Sequence, residues 1–255
     1  MVLDTITLKV GDHMTENPVS VDSKTSLHDS IAIMAGKNIG NLIVDNDGVP
    51  SALLTEREII SHIIREGGIP EIPVGEAAVS RFEKVSPDDL VINAAKKMIV
   101  DKKRLLVFDE NRLVGIITVT DMLRGLRSTG GNPSLEGVVR GRVKRCTYHD
   151  SIFTASKTMY SKKIGSILVS NAPEKQGIFT ERDLLNRVIT KGVDLMDRVG
   201  KYSSIPLITA RLGIMGDEAA EIMSKNKIKR LPLTHDGTVK GIVTARDIVE
   251  AFSRP

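Results

Sequence analysis

Four times along the chain a threonine is followed three residues later by a carboxylate: Thr55 and Glu58, Thr118 and Asp121, Thr180 and Asp183, Thr244 and Asp247. Threonine is a good helix N-cap, and the orphan N–H groups of a first helical turn, with the helix dipole, form a ready anion site. A carboxylate three residues on lies on the same side as the cap, where it can accept hydrogen bonds from both hydroxyls of a ribose. The pair therefore suits a ribose-phosphate. The competing use is the capping box, in which the acidic side chain returns to the amide of the cap and no ligand is involved. Thr55 with Glu58 fits the capping box well. Asp is a poorer box partner than Glu or Gln, so Asp121, Asp183 and Asp247 lean toward a ligand.

The elements that carry these pairs recur with them. The threonines are 63, 62 and 64 residues apart, and such a constant period means one supersecondary unit written four times. Each unit opens on an extended lead-in (Pro18-Val19-Ser20-Val21, Lys84-Val85-Ser86, Arg145-Cys146-Thr147-Tyr148, Pro206-Leu207-Ile208-Thr209) and continues into about a dozen residues of helical apolar spacing. Met34, Met98, Met159 and Met223 close those helices, on faces that read as core. A short apolar strand follows, then a polar turn such as Asp45-Asn46-Asp47-Gly48 or His235-Asp236-Gly237, then a returning strand that runs into the threonine. Residues after it turn helical again. Each unit is β-α-β-β-α.

This order, ending in Gly-apolar-apolar-Thr-x-x-Asp at Gly115–Asp121, Gly177–Asp183 and Gly241–Asp247, resembles the CBS domain, named after cystathionine β-synthase. The resemblance covers nearly all 255 residues and divides them into repeat one at 1–68, repeat two at 69–128, a linker at 129–136, repeat three at 137–192 and repeat four at 193–255. It implies an α/β (α+β) fold in which four repeats pair into two Bateman modules. The Gly/Pro/Ser-rich stretch Ser128–Ser134 is the expected boundary, pairing repeat one with two and three with four. Repeat one departs from the pattern, with Glu58 for Asp and Pro50-Ser51 where Gly is usual.

Adenine nucleotides are the ligands the resemblance implies, AMP, ADP or ATP, with Thr contacting phosphate and Asp contacting ribose. Mg would enter only with ATP, and no other cofactor is expected. Just before the middle strand, repeats two and four carry Lys103-Arg104 and Lys229-Arg230, where repeats one and three carry Gly40-Asn41 and Gly165-Ser166. By the same resemblance the basic pairs neutralise phosphates, while the glycines let a ligand approach the backbone. Arg57, Arg182 and Arg246 precede the acidic position and can also reach phosphate; repeat two has Thr120 there. The adenine slot would be formed by lead-in and middle strands, around Val19, Ser20, Arg145, Cys146, Thr147, Ile208 and Thr209. Thr180, Asp183, Thr244 and Asp247 make repeats three and four the fuller sites.

Composition narrows the alternatives. The chain is 41% hydrophobic, 27% charged and 3% aromatic, with a net charge of +4. The charge mildly favours anionic partners, but the few aromatics leave little to stack single-stranded bases on. Arg140-Gly141-Arg142-Val143-Lys144-Arg145 and Lys225-Asn226-Lys227-Ile228-Lys229-Arg230 are the basic clusters; the first reads as a solvated face, with duplex nucleic acid as the alternative. One cysteine, Cys146, excludes a disulfide framework, and five dispersed histidines show no helical metal pair. No Walker loop, nucleophile elbow or Rossmann glycine motif occurs. No apolar run approaches the roughly 20 residues of a membrane span and the N-terminus has no signal-peptide pattern, so a cytoplasmic location is expected. With no further domain attached, the expectation is a stand-alone regulator rather than an enzyme. It would form a homodimer through exposed helix faces and act on an unidentified effector protein. An interaction scaffold with vestigial clefts, or a binder of S-adenosylmethionine, is the alternative.

Overall fold

The computed structural model describes residues 7–101, 104–141, 143–172 and 175–254. Repeat one forms β1 (Thr15–Glu16), β2 (Ser20–Asp22), α1 (Leu27–Gly36), β3 (Asn41–Asn46), β4 (Val49–Thr55) and α2 (Glu56–Glu66). Repeat two forms α3 (Val74–Ala77), β5 (Phe82–Val85), α4 (Val91–Asp101), β6 (Arg104–Asp109), β7 (Arg112–Ile117) and α5 (Val119–Arg127). Repeat three forms β8 (Arg145–Thr147), α6 (Ile152–Ser161), β9 (Ser166–Ala172), β10 (Lys175–Thr180) and α7 (Glu181–Asp183), which runs on as a π-helical turn over Leu184–Val188. Repeat four forms β11 (Ala210–Arg211), α8 (Gly216–Lys225), β12 (Arg230–His235), β13 (Thr238–Thr244) and α9 (Ala245–Phe252).

The β-α-β-β-α order holds, and each repeat builds one small sheet. The lead-in strand runs parallel to the middle strand, which pairs antiparallel with the strand that ends at the threonine: β2-β3-β4, β5-β6-β7, β8-β9-β10 and β11-β12-β13. The hairpins of repeats one and four close through Asp47-Gly48 and Asp236-Gly237, each with positive φ at both residues, as the tight turn that matches strand twist requires. Ser26 and Ser151 cap α1 and α6 by accepting from the amides of Asp29 and Thr154. Met34, Met98, Met159 and Met223 are all buried.

The chain divides into two compact units, but not at Ser128–Ser134. One, the even unit, comprises Met1–Pro18, Arg81–Val143 and Ile208–Pro255; the other, the odd unit, comprises Val19–Ser80 and Lys144–Leu207. Each takes one repeat from either half of the chain, which corrects the expected boundary. The physical reason is the second helix of each repeat, whose apolar face needs a partner. In the odd unit α2 packs on α6 and α7; in the even unit α5 and α4 pack on α9. Val107, Met122, Leu231 and Ile248 belong to the even core, and Leu54, Ile60, Ile167 and Phe179 to the odd core. The expected linker is tied down within the even unit: Asn132 Oδ1 accepts from the Asp217 amide (2.9 Å), Pro133 O accepts from Gly216 (2.8 Å), and Leu135 is buried.

Consecutive repeats are linked by exchange of their lead-in segments. Thr15 pairs with Ile116, Val79 with Leu53, Arg140 with Ile242 and Ser204 with Ile178. Three of these segments lie over the glycine of the recurring motif. A Cβ on Gly115 would meet Met14 Sδ at 2.5 Å, one on Gly177 would meet Ser204 O at 2.7 Å, and one on Gly241 would meet Val139 Cγ1 at 2.6 Å. The glycine is there to let one backbone approach another. In repeat one the register puts Ala52 opposite Val44, where the other repeats put the glycine opposite Val107, Val169 and Leu233, so the replaced position is Ala52 and not Pro50-Ser51. The neighbouring Ser51 carbonyl accepts from the Ser80 hydroxyl (2.9 Å).

Candidate functional site

Within the even unit, α9 begins at Thr244. The Thr244 amide and hydroxyl both donate to Asp247 Oδ2 (2.8 and 2.7 Å), and the Asp247 amide donates back to Thr244 Oγ1 (3.3 Å). Asp247 is buried, at 1% exposure. Its other oxygen, Oδ1, accepts from Arg140 through Nη2 at 3.0 Å and Nε at 3.3 Å. Arg246 donates to Met98 O (2.9 Å). Burial pushes the Arg246 guanidinium below its ordinary pKa, and the charges of Arg104 and Arg140 push the same way, against Asp247. Arg104, Arg140 and Arg246 are therefore near enough for their charges to act on one another, with Arg246 itself directed to Met98 O.

The start of α5 repeats this with a different arginine. Thr118 gives its amide (2.9 Å) and hydroxyl (2.6 Å) to Asp121 Oδ2, and Asp121 Oδ1 accepts from Arg124, one turn along the same helix (3.1 Å). Arg124 also donates to His13 O (3.2 Å).

In the odd unit, Thr180 donates from its amide (3.0 Å) and hydroxyl (2.7 Å) to Asp183 Oδ2. Asp183 Oδ1 lies 3.3 Å from Arg187 Nε. Burial raises the Asp183 pKa, opposed by the Thr180 hydroxyl, Arg187 and Ser204. At α2 the Thr55 hydroxyl bonds Glu58 and accepts from the Arg57 amide. The two helix starts are cross-linked: Arg57 Nη2 reaches Glu181 at 3.1 Å and Arg182 Nε reaches Glu56 at 3.3 Å.

Each residue pair ahead of the middle strand is brought to its threonine. Asn41 stands opposite Thr55, Ser166 opposite Thr180 and Arg230 opposite Thr244, while Leu105 opposite Ile117 puts Arg104 beside Thr118. The Lys229 and Gly165 carbonyls accept from Ala245 and Glu181 (3.0 and 3.2 Å), and Gly40 lies against the Glu56 carboxylate. Lys103 lies outside the described residues.

Two expectations change. Asp121, Asp183 and Asp247 all form complete capping boxes, so Asp is a sufficient partner when the amide and hydroxyl of Thr converge on one oxygen. The two fuller sites, Thr180/Asp183 and Thr244/Asp247, fall one in each unit. Arg57 and Arg182 pair with acids across the odd unit, Glu181 and Glu56. Cys146 is core: burial foremost, then Asp150, pushes its thiol up to about 12. A cavity of about 430 Å³ in the odd unit lies at the hairpin end of repeat one, lined among others by Ser23, Lys24, Asn46, Ser51 and Glu76, and includes none of the expected site residues.

Arg140, Arg187 and Ser204 were not foreseen. Arg187 stands four residues after Asp183, a spacing that pairs side chains on a helix. Arg140 reaches Asp247 across 107 positions, and in sequence it is one basic residue of a cluster. Among the described residues no group of three or more His, Cys, Asp or Glu could hold a metal, and no helix is long and apolar enough to cross a membrane.

The CBS domain is recognised at residues 10–65, 74–128, 136–190 and 194–254. The chain belongs to the CBS-domain family. A relative of similar extent is the uncharacterized 33.4 kDa protein of a ribosomal RNA operon in Thermofilum pendens, 22% identical over 265 residues that span 92% of this chain and 87% of that one. Protein MJ1225 of Methanocaldococcus jannaschii is 28% identical over 193 residues, 69% of this chain and 68% of its own. Its crystal structure superposes with a TM-score of 0.81 at 20% identity, covering 96% of this chain and all of that one. Inosine-5'-monophosphate dehydrogenase of Helicobacter pylori matches at 39% identity over 74 residues only, 28% of this chain and 15% of the enzyme. That likeness is confined to CBS repeats.

Proposed function

We propose that this chain is a regulatory protein that binds adenine nucleotides, AMP, ADP or ATP, at the Thr-x-x-Asp helix starts of its CBS repeats. Occupancy is signalled by a shift between conformers that differ in affinity for the ligand. The observation that carries the reading is Arg140 on the buried carboxylate of Asp247, beside the Thr244 cap and with the charges of Arg104 and Arg246 close by. A phosphate at the α9 N–H groups meets guanidinium donors with charge-assisted hydrogen bonds, and a ribose hydroxyl can donate to Asp247. MJ1225, similar in fold, has itself been proposed as an archaeal homologue of γ-AMPK. The odd unit offers the anion less, because Arg57 and Arg182 are spent on Glu181 and Glu56.

A thermal-shift panel with AMP, ADP, ATP, GTP and S-adenosylmethionine tests this. A ligand at a hundredfold its dissociation constant adds about 2.7 kcal/mol to the native state, a shift of several degrees. Adenine nucleotides are expected to raise the melting temperature and S-adenosylmethionine, which lacks phosphates, to do so less. The complete capping boxes favour one competing reading, an interaction scaffold in which the aspartates serve the helices alone. A flat panel is its signature.

A further inference from the structure

Three of the four carboxylate sites have an arginine on the outer oxygen, and the three arginines arrive by different routes. Arg124 and Arg187 belong to the same helix as their aspartate, three and four residues on, so their side chains are rooted a turn beyond the helix start. Arg140 is rooted in the exchanged lead-in segment. Its backbone is fixed to β13 on both sides, Arg140 N to Ile242 O and Ile242 N to Arg140 O, each 3.0 Å. Its side chain is 65% exposed, while the carboxylate it holds is 2% exposed. A partly solvated guanidinium on a fixed backbone loses little by exchanging one anionic partner for another nearby. It also presents two donors at once, from Nε and Nη2, a fork that matches phosphate as well as carboxylate.

Resting on the nucleotide reading above, we propose that Arg140 is the phosphate-selecting residue of the α9 site. With the site free it holds Asp247 Oδ1; when a ribose hydroxyl takes that oxygen, the guanidinium turns to the phosphate. A nucleoside without phosphate displaces Arg140 and gives it nothing in return. A nucleotide replaces the lost partner. Discrimination between the two thus resides in one exposed side chain outside the Thr-x-x-Asp motif, and Arg124 and Arg187, held on their own helices, do not supply it at their sites.

The test is calorimetric titration of AMP and of adenosine into the full chain, wild type, Arg140→Ala and Arg124→Ala. Arg140→Ala is expected to weaken AMP at least tenfold, to leave adenosine unchanged or tighter, and to flatten the salt dependence of AMP binding. Arg124→Ala should leave the ratio of AMP to adenosine affinity as in wild type. If Arg140→Ala keeps that ratio, or weakens both ligands equally, the inference is overturned while the nucleotide reading stands. If the wild type takes up neither ligand, both fall together.

Discussion

Arg57 reaches the buried carboxylate of Glu181 at 3.1 Å, and its counterpart Arg182 reaches Glu56 at 3.3 Å, so the starts of α2 and α7 hold each other by the same exchange from either side. Glu181 is 9% exposed against 37% for Arg57, so removing the arginine strands a carboxylate that cannot easily rehydrate. Arg57→Ala is expected to destabilise the protein by about 1–3 kcal/mol, more than the ~1 kcal/mol ceiling of surface pairs. Urea unfolding of Arg57→Ala, Glu181→Ala and the double variant gives the coupling energy, and additivity would show the bridge to be a surface pair in effect.

Burial dominates at Asp183 and raises its pKa above the ordinary 3.8. The folded state then keeps its proton over a window in which the unfolded chain has lost it. This contribution to stability is full below about pH 3.8 and is lost as pH rises through the folded value. Asp183→Asn keeps an acceptor for the Thr180 amide and carries no charge. Its melting temperature relative to wild type is expected to rise as pH goes from about 4 to 6, and a flat difference would mean the pKa is not raised.

His62, on the buried face of α2, shows the opposite sign. Burial first, then Arg65, lowers its pKa below 6.5, against Glu66 and Glu58. The folded state favours the neutral ring, so stability is lost as pH falls below about 6.5, where the unfolded chain takes up the proton. In His62→Gln the fall in stability between about pH 7 and 5 should be shallower, as read by urea midpoints.

The motif glycines separate by what presses on them. At Gly177 the obstacle to a Cβ includes the backbone carbonyl of Ser204, at 2.7 Å, whereas at Gly241 it is the tip of Val139. Gly177→Ala should cost about 1–3 kcal/mol by forcing backbone apart, and Gly241→Ala less, because there a side-chain methyl and not a backbone atom lies within 3.0 Å. Equal costs in thermal unfolding would contradict the assignment.

Repeat number, element order and hairpin turns were legible because each has a local signature: a constant threonine period, a strand-length apolar run, Asp-Gly where φ is positive. The helix starts were legible too, and the registers that set Asn41, Ser166 and Arg230 opposite their threonines follow from them. Grouping of the repeats was not. It depends on which apolar helix faces meet, and α2, α5 and α9 present similar faces. Nor was Arg140, since its partner lies across an exchanged segment, and a basic residue beside Gly141 carries no mark of the carboxylate it holds. Balance between cap and ligand at each aspartate was ambiguous for a further reason: both uses need the same two residue types at the same spacing.

Asp247 is where cap, cation cluster and helix start coincide, so calorimetric titration of AMP into wild type and Asp247→Asn tests the account most directly. Asparagine keeps one acceptor for Thr244 and gives up the charge that would hold a ribose. Binding to wild type that falls at least tenfold in the variant is the predicted result. No binding to the wild type, or equal affinity in both, would contradict it and leave the carboxylate as a helix cap alone.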